Sequence, residues 1–147
     1  NDETPVTYQD IINCTPTSNE ADIDGILNVV LDGSEFKVSQ IMGRLRSQGI
    51  QPVTLIIAAT RHFKALFSII SNPGGVSAGA SALRPPVFGP RKDALAKQAQ
   101  DWGETKIKIA IKILTATDLQ LRSSNQRAPQ MALVERLFIR IAMLLKN

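Results

Sequence analysis

Residues able to carry covalent or acid–base chemistry are few in this chain. Cys14 is the single cysteine and His62 the single histidine, and brought together they would make a nucleophile and its general base. Cys14, however, sits in a Thr-Pro loop ahead of the main domain. His62 falls at the edge of an apolar helical stripe, where one hydrogen bond satisfies the ring. A lone cysteine and a lone histidine do not make a metal-ligand set. Asp22 and Asp24 stand two positions apart, so on a helix they point to different sides and form no carboxylate pair. No glycine is followed by lysine, which excludes the phosphate-binding loop of nucleotide hydrolases, and Gly74-Gly75 lacks the right succession as well. The expectation is a chain with no catalytic residues, no metal and no cofactor.

Charge is the stronger signal. The formal net of +4 hides a split: residues 1–36 hold eight of the thirteen acids and no base, whereas residues 37–147 hold 17 bases against 5 acids, a net of +12. An excess of that size suits a polyanion or an acidic protein surface, with a solvated helical surface as the plain alternative. Arg122 and Arg127, flanking a Ser-Ser-Asn-Gln loop, are the candidate DNA contacts.

The elements that must position these groups read as helices. At 147 residues the chain is one domain, and with aromatics at only 5% its core must be built from Leu, Ile, Val and Ala. Thr7-Tyr8-Gln9-Asp10 has the spacing of a capping box for a short helix that stops before Thr15-Pro16, and a domain boundary is placed near residue 18. A helix beginning between Asn19 and Asp22 runs to Leu31, Gly33 ends it, and Ser34 caps a second helix that Gly49 terminates. Pro52 opens the cleanest amphipathic helix, with Leu55, Ile56, Ala59, Phe63, Leu66, Phe67 and Ile70 in one arc. Residues 72–82 are Gly, Ser, Ala and Pro, which reads as a flexible loop.

Arg84-Pro85-Pro86-Val87-Phe88-Gly89-Pro90 breaks the helical pattern, because three prolines within six residues force extended backbone. It reads as a strap whose Val87 and Phe88 are pinned between helices. A surface helix from about Pro90 to Trp102 follows, anchored by the only tryptophan.

From Lys106 to Ile113, lysine and apolar residues alternate with the two-residue period of a half-buried strand. No other segment offers a partner strand, so a helix from Glu104 to about Ser123 is preferred. Ile107, Ala110, Ile111, Leu114 and Leu121 then make one stripe and Ile109, Ile113 and Ala116 a second, which needs a cover. Asp118 falls within the first stripe. If buried it needs Arg91, Arg136 or Arg140 as a partner; if exposed it pairs with Arg122 four residues on. The last helix, about Ala128 to Leu145, is apolar around most of its girth, with Ile139 and Met143 on the side away from its main stripe. That expectation is an all-α bundle of five to six helices.

No run of about 18 apolar residues is uninterrupted, so no membrane-spanning helix is expected. One cysteine and no secretory signal point to a reducing cytoplasm, and a start at Asn1 without Met suggests a fragment or processed product.

Arg84-Pro85-Pro86-x-Phe88-x-x-Arg91-Lys92, Gln98, Trp102, Ile107-x-x-Ala110-Ile111-x-x-Leu114-x-x-x-Asp118-x-x-Leu121-Arg122 and Leu133-Val134-Glu135-Arg136 together resemble the C-terminal domain of the delta subunit of bacterial DNA polymerase III. Asp32-Gly33, Leu45 with Gly49, Pro52 and Arg61-His62-Phe63 resemble the start of the same domain, so the likeness covers most of residues 20–147. It implies the helical collar of a clamp loader of AAA+ architecture, in an assembly whose parent polymerase performs the nucleotidyl transfer. Residues 1–18 would be the end of the preceding small helical domain and residues 19–147 the collar domain. Partners implied are the gamma/tau and delta-prime subunits, the sliding clamp through an N-terminal domain not in this chain, and DNA in the assembled complex. Ile109, Ile113, Ile139 and Met143 are the candidate subunit interface. Pro85, Pro86, Phe88, Trp102 and Asp118 are carried as fold determinants. Direct DNA binding by the basic helices is the alternative function.

Overall fold

The computed structural model describes residues 21–84, 86–123 and 129–146. Six helices and no strand occur among them: α1 (residues 21–31), α2 (Glu35–Ser47), α3 (Pro52–Ile70), α4 (Val76–Ser81), α5 (Gly89–Arg122) and α6 (Gln130–Lys146). The proposed N-terminal remnant, residues 1–18 with Cys14, lies outside the described residues, as do Pro85 and Arg127.

Turn chemistry sets the element ends. Gly33 and Gly49 both take φ +78°, the left-handed conformation that ends α1 and α2. Ser34 occupies the N-cap position of α2 but makes no side-chain cap bond, so the expected cap is absent. Pro52 starts α3, where its missing N–H is no loss. α5 bends sharply at Gly103 (φ 77°, ψ 160°), a conformation essentially closed to other residues, which divides it into segments 89–102 and 104–122.

α3 is the centre of the bundle and packs most extensively on α5, with α4 closing one end and α6 touching its flank. Leu55, Ile56, Ala59, Phe63, Leu66 and Ile69 are buried on it. By length and composition α3 is apolar enough to cross a bilayer, contrary to the sequence expectation. Its buried stripe is nonetheless spent on core packing, and Arg61 and Lys64 stand exposed on its other side. Phe67 and Ile70 are only half-buried, whereas Ile69 is fully buried, so the stripe turns at its end.

α4 explains that turn and corrects the reading of residues 72–82 as a loop. A Cβ on Gly79 would lie 2.5 Å from the Ile69 carbonyl oxygen and 2.8 Å from its Cα. The Gly/Ser/Ala composition therefore permits a backbone-to-backbone approach of α4 to the end of α3 rather than marking flexibility.

The lysine–isoleucine alternation is helical, as preferred. Ile107, Ala110 and Leu114 are buried, and Ile111 and Leu121 half-buried, because α3 on one flank and α6 on the other fill the faces a single strand could not. Trp102 is 3% exposed, meets Phe63 edge-to-face with ring centroids 5.2 Å apart, and donates its indole N–H to the Leu31 carbonyl at 3.1 Å. That bond satisfies a carbonyl at the end of α1, where the helix offers no partner of its own.

Trp102→Phe keeps the aromatic volume roughly but leaves that buried carbonyl without the indole, and is expected to cost about 2 kcal/mol in urea denaturation. Gly79→Ala forces α4 off α3 and is expected to cost about 1–3 kcal/mol by the same measurement, whereas Gly43→Ala, where an added Cβ meets nothing within 4 Å, should not destabilise.

Candidate interaction surfaces

Two surfaces emerge, one apolar and one basic. The apolar one belongs to the layer α2–α6–α5. Ser39 donates to Glu135 Oε2 at 3.2 Å and Arg46 Nη2 pairs with Glu135 Oε1 at 3.2 Å, which fixes α2 against α6. On the other flank of α6, Lys106 Nζ donates to the Leu145 carbonyl at 3.0 Å and Gln130 Nε2 to the Leu121 carbonyl at 3.3 Å, so α6 runs antiparallel to the second segment of α5. The lysine places a cation at the C-terminal, negative end of α6.

Of the four expected interface residues, Ile109 is 40% exposed and Met143 48% exposed, while Ile113 and Ile139 are half-buried and pack against the core. They do not form one unbroken stripe. Ile113 lines the α5–α6 cleft together with Arg136 and Arg140, and at 100° per residue those arginines separate it from Ile139. Phe36, 75% exposed, was missed by the sequence reading. Gly33, just ahead of α2, lies beside Ala142 and Leu145 near the end of α6 while Ser39 and Arg46 meet Glu135, so α2 and α6 run antiparallel and Phe36 belongs to the α2 part of this layer. Its signal was available: Phe36 falls off the Val38–Met42–Leu45 stripe of its own helix.

The basic surface lies on the side of α1, α3 and the start of α5. Leu83, Pro86, Val87, Phe88 and Leu95 wall a groove of about 470 Å³, rimmed by Arg61, His62, Arg84 and Arg91. Arg61 also rims an adjoining depression with Lys64, Asp118 and Arg122, and another with Asp24 and Arg91. Two of the cations are partly neutralised: Arg91 by Asp24 at 3.4 Å and Arg122 by Asp118 at 3.3 Å. Among the described residues Arg61, Lys64 and Arg84 have no carboxylate in ion-pair range.

This geometry settles several sequence expectations. Asp118 is not a buried carboxylate held by Arg91, Arg136 or Arg140; it is the half-buried partner of Arg122. With Arg122 so engaged and Arg127 outside the described residues, that pair gains no support as a DNA contact. Phe88 is 79% exposed and Pro86 is exposed, so neither is pinned in the core; Val87 alone is half-buried against it. Among the described residues of that group, Trp102 is the one buried in the core.

His62, on the rim of that groove, is a structural link. Its Nε2–H donates to Gln98 Oε1 at 2.9 Å, and Gln98 Nε2 donates to Asn28 Oδ1 at 3.5 Å, joining α3, α5 and α1. Burial holds its pKa below the ordinary 6.5; the Gln98 bond opposes that shift and the Arg91 charge adds to it. Among the described residues no group of three or more His, Cys, Asp or Glu is placed to hold a metal. Comparison with family models, curated proteins and solved structures matches none of them to this chain.

Because the folded His62 resists protonation, the unfolded chain takes up a proton first as pH falls. Its contribution is fully present above 6.5 and is lost as pH drops from there towards the folded value. Unfolding free energy is thus expected to decline below pH 6.5, and His62→Gln to remove that component of the slope in denaturation titrations.

Proposed function

We propose that this chain is a non-catalytic oligomerisation domain that helps to assemble a clamp loader, the role of the DNA polymerase III delta subunit whose collar domain its residues resemble. The observation that carries the reading is the incompletely covered α2–α6–α5 face. Phe36, Ile109 and Met143 are large apolar side chains 75%, 40% and 48% exposed, on helices that are already fully engaged on their inner sides. Isolated apolar residues are ordinary on protein surfaces, but apolar groups gathered on one layer and interleaved with arginines suit a partner offering apolar side chains with carboxylates around them. Arg136 and Arg140, exposed on α6 and with no carboxylate in ion-pair range among the described residues, supply the polar part of such a contact.

The reading also accounts for where the apolar residues are placed. α6 has so little polar girth that a monomer leaves part of it uncovered, and a collar in which neighbouring subunits pack side by side covers it.

Mixed with clamp-loader subunits of the gamma and delta-prime type, the chain is expected to co-elute on size exclusion. Ile109→Asp combined with Met143→Asp should leave the far-ultraviolet circular dichroism unchanged and weaken that association at least about tenfold. Undiminished co-elution of the double variant refutes the assigned face.

A further inference from the structure

α3 is apolar on two sides, and only one of them is spent on the core. It is long and apolar enough to cross a bilayer, yet only 33% of the window that would do so is buried. Val53 and Ile57 stand 43% and 49% exposed on the side away from Leu55 and Phe63, and Arg61 and Lys64 follow one and two turns further along that face. Two depressions meet at this ridge. One of about 560 Å³ is walled by Ile23, Asp24, Ile57 and Arg61, and the other, of about 380 Å³, by Ile57, Thr60, Lys64 and Asp118. Their carboxylates are engaged, Asp24 by Arg91 and Asp118 by Arg122, which leaves Arg61 and Lys64 without a counter-charge among the described residues.

We propose that residues 1–20 of this same chain dock across the outer face of α3, setting Ile11 and Ile12 on Val53 and Ile57 and their acidic neighbours beside Arg61 and Lys64. Charge complementarity favours that occupant: the segment carries Asp2, Glu3, Asp10 and Glu20 and no base, opposite two uncompensated cations. Its place of attachment favours it too. The segment joins α1 at Ala21, and Ile23 and Asp24 in the first turn of α1 already wall the larger depression. Its length suffices, since the ten residues 11–20 reach about 15 Å as a helix and about 33 Å extended, while Ile57 to Lys64 occupies about 10 Å of α3. Tyr8, Ile11 and Ile12 recur at three and four positions, the spacing of a narrow apolar edge that matches the ridge of Val53 and Ile57. Held at one end by α1, the segment meets the face at an effective concentration on the order of millimolar, ahead of a free acidic peptide. Docked, it neutralises part of the +12 excess of residues 37–147 and so sets how much of that charge other molecules meet. This inference does not rest on the assembly reading: it uses none of Phe36, Ile109, Ile113, Ile139 or Met143, and its test needs no partner subunit.

Cys14, the only cysteine, lies within the segment and takes a nitroxide label without any substitution. In the isotopically enriched 147-residue chain, paramagnetic broadening from that label is expected in nuclear magnetic resonance spectra at the amides of Ile57, Arg61 and Lys64, and not at those of Phe36 and Met143. Added salt should reduce it, because exposed ion pairs are screened. Ile57→Asp should lower the docked-to-undocked ratio about tenfold, the loss of one covered apolar side chain. Arg61→Glu with Lys64→Glu should abolish the broadening, and Asp10→Lys with Glu20→Lys should restore it in that background. Ile57, Arg61 and Lys64 are exposed, so these variants keep the fold, and circular dichroism verifies that they do. Absence of broadening on α3 overturns the proposal. So does broadening seen only when a labelled, unenriched chain is mixed with an unlabelled, enriched one, which marks a second copy as the source of the segment. Broadening that survives both Ile57→Asp and the charge reversal overturns it as well, because tethering alone then explains the proximity.

Discussion

The bend at Gly103 is the constraint on which the rest of the bundle depends. A positive φ with an extended ψ kinks α5 at one residue, and that backbone is essentially open only to a residue without Cβ. Trp102, just before the bend, reaches the end of α1; Lys106, just after it, reaches the end of α6. Two helix C-termini from opposite parts of the chain are thus satisfied by side chains four residues apart. Straightening α5 would carry one of those contacts away from its carbonyl, so the bend couples the packing of α1 to that of α6.

Much of this architecture was legible because helices announce themselves through period and punctuation. Gly33, Gly49 and Pro52 marked ends that the backbone confirms, and the break between the segments around Trp102 and Glu104 was placed where the bend occurs. α4 was not legible. Its residues are small because the α3 backbone lies against it, and small residues packed tightly are indistinguishable in composition from small residues in a loop until Gly79 is seen beside Ile69. The stripe of α3 was misjudged at its last turn for the same reason: whether Ile69 or Ile70 is covered depends on which side α4 arrives.

The surfaces were less legible than the core, since exposure is decided by neighbours that a helical wheel does not include. Asp118 looked central on its own helix, yet it faces outward enough to meet Arg122, a local pair that sequence spacing had offered as the simpler choice. Phe88 looked like a plug because it is aromatic and flanked by prolines, but rigid extended backbone can display a ring as readily as bury it. Ile109 and Ile113 share a stripe on the helical wheel, yet Ile109 is exposed while Ile113 packs half-buried; what the wheel of one helix could not show was Arg136 and Arg140 arriving beside Ile113 from α6.

The lysine–isoleucine alternation of residues 106–113 has a consequence for the chain before it folds. Once the native helix is lost, the same pattern gathers four β-branched isoleucines on one side of an extended ribbon, the signature of segments that stack into intermolecular cross-β order. Lys106, Lys108 and Lys112 on the opposite side oppose that stacking, because in-register copies would line up like charges with no counter-ion between them. The residues that give α5 its soluble face therefore also act as gatekeepers against self-association of the nascent polypeptide.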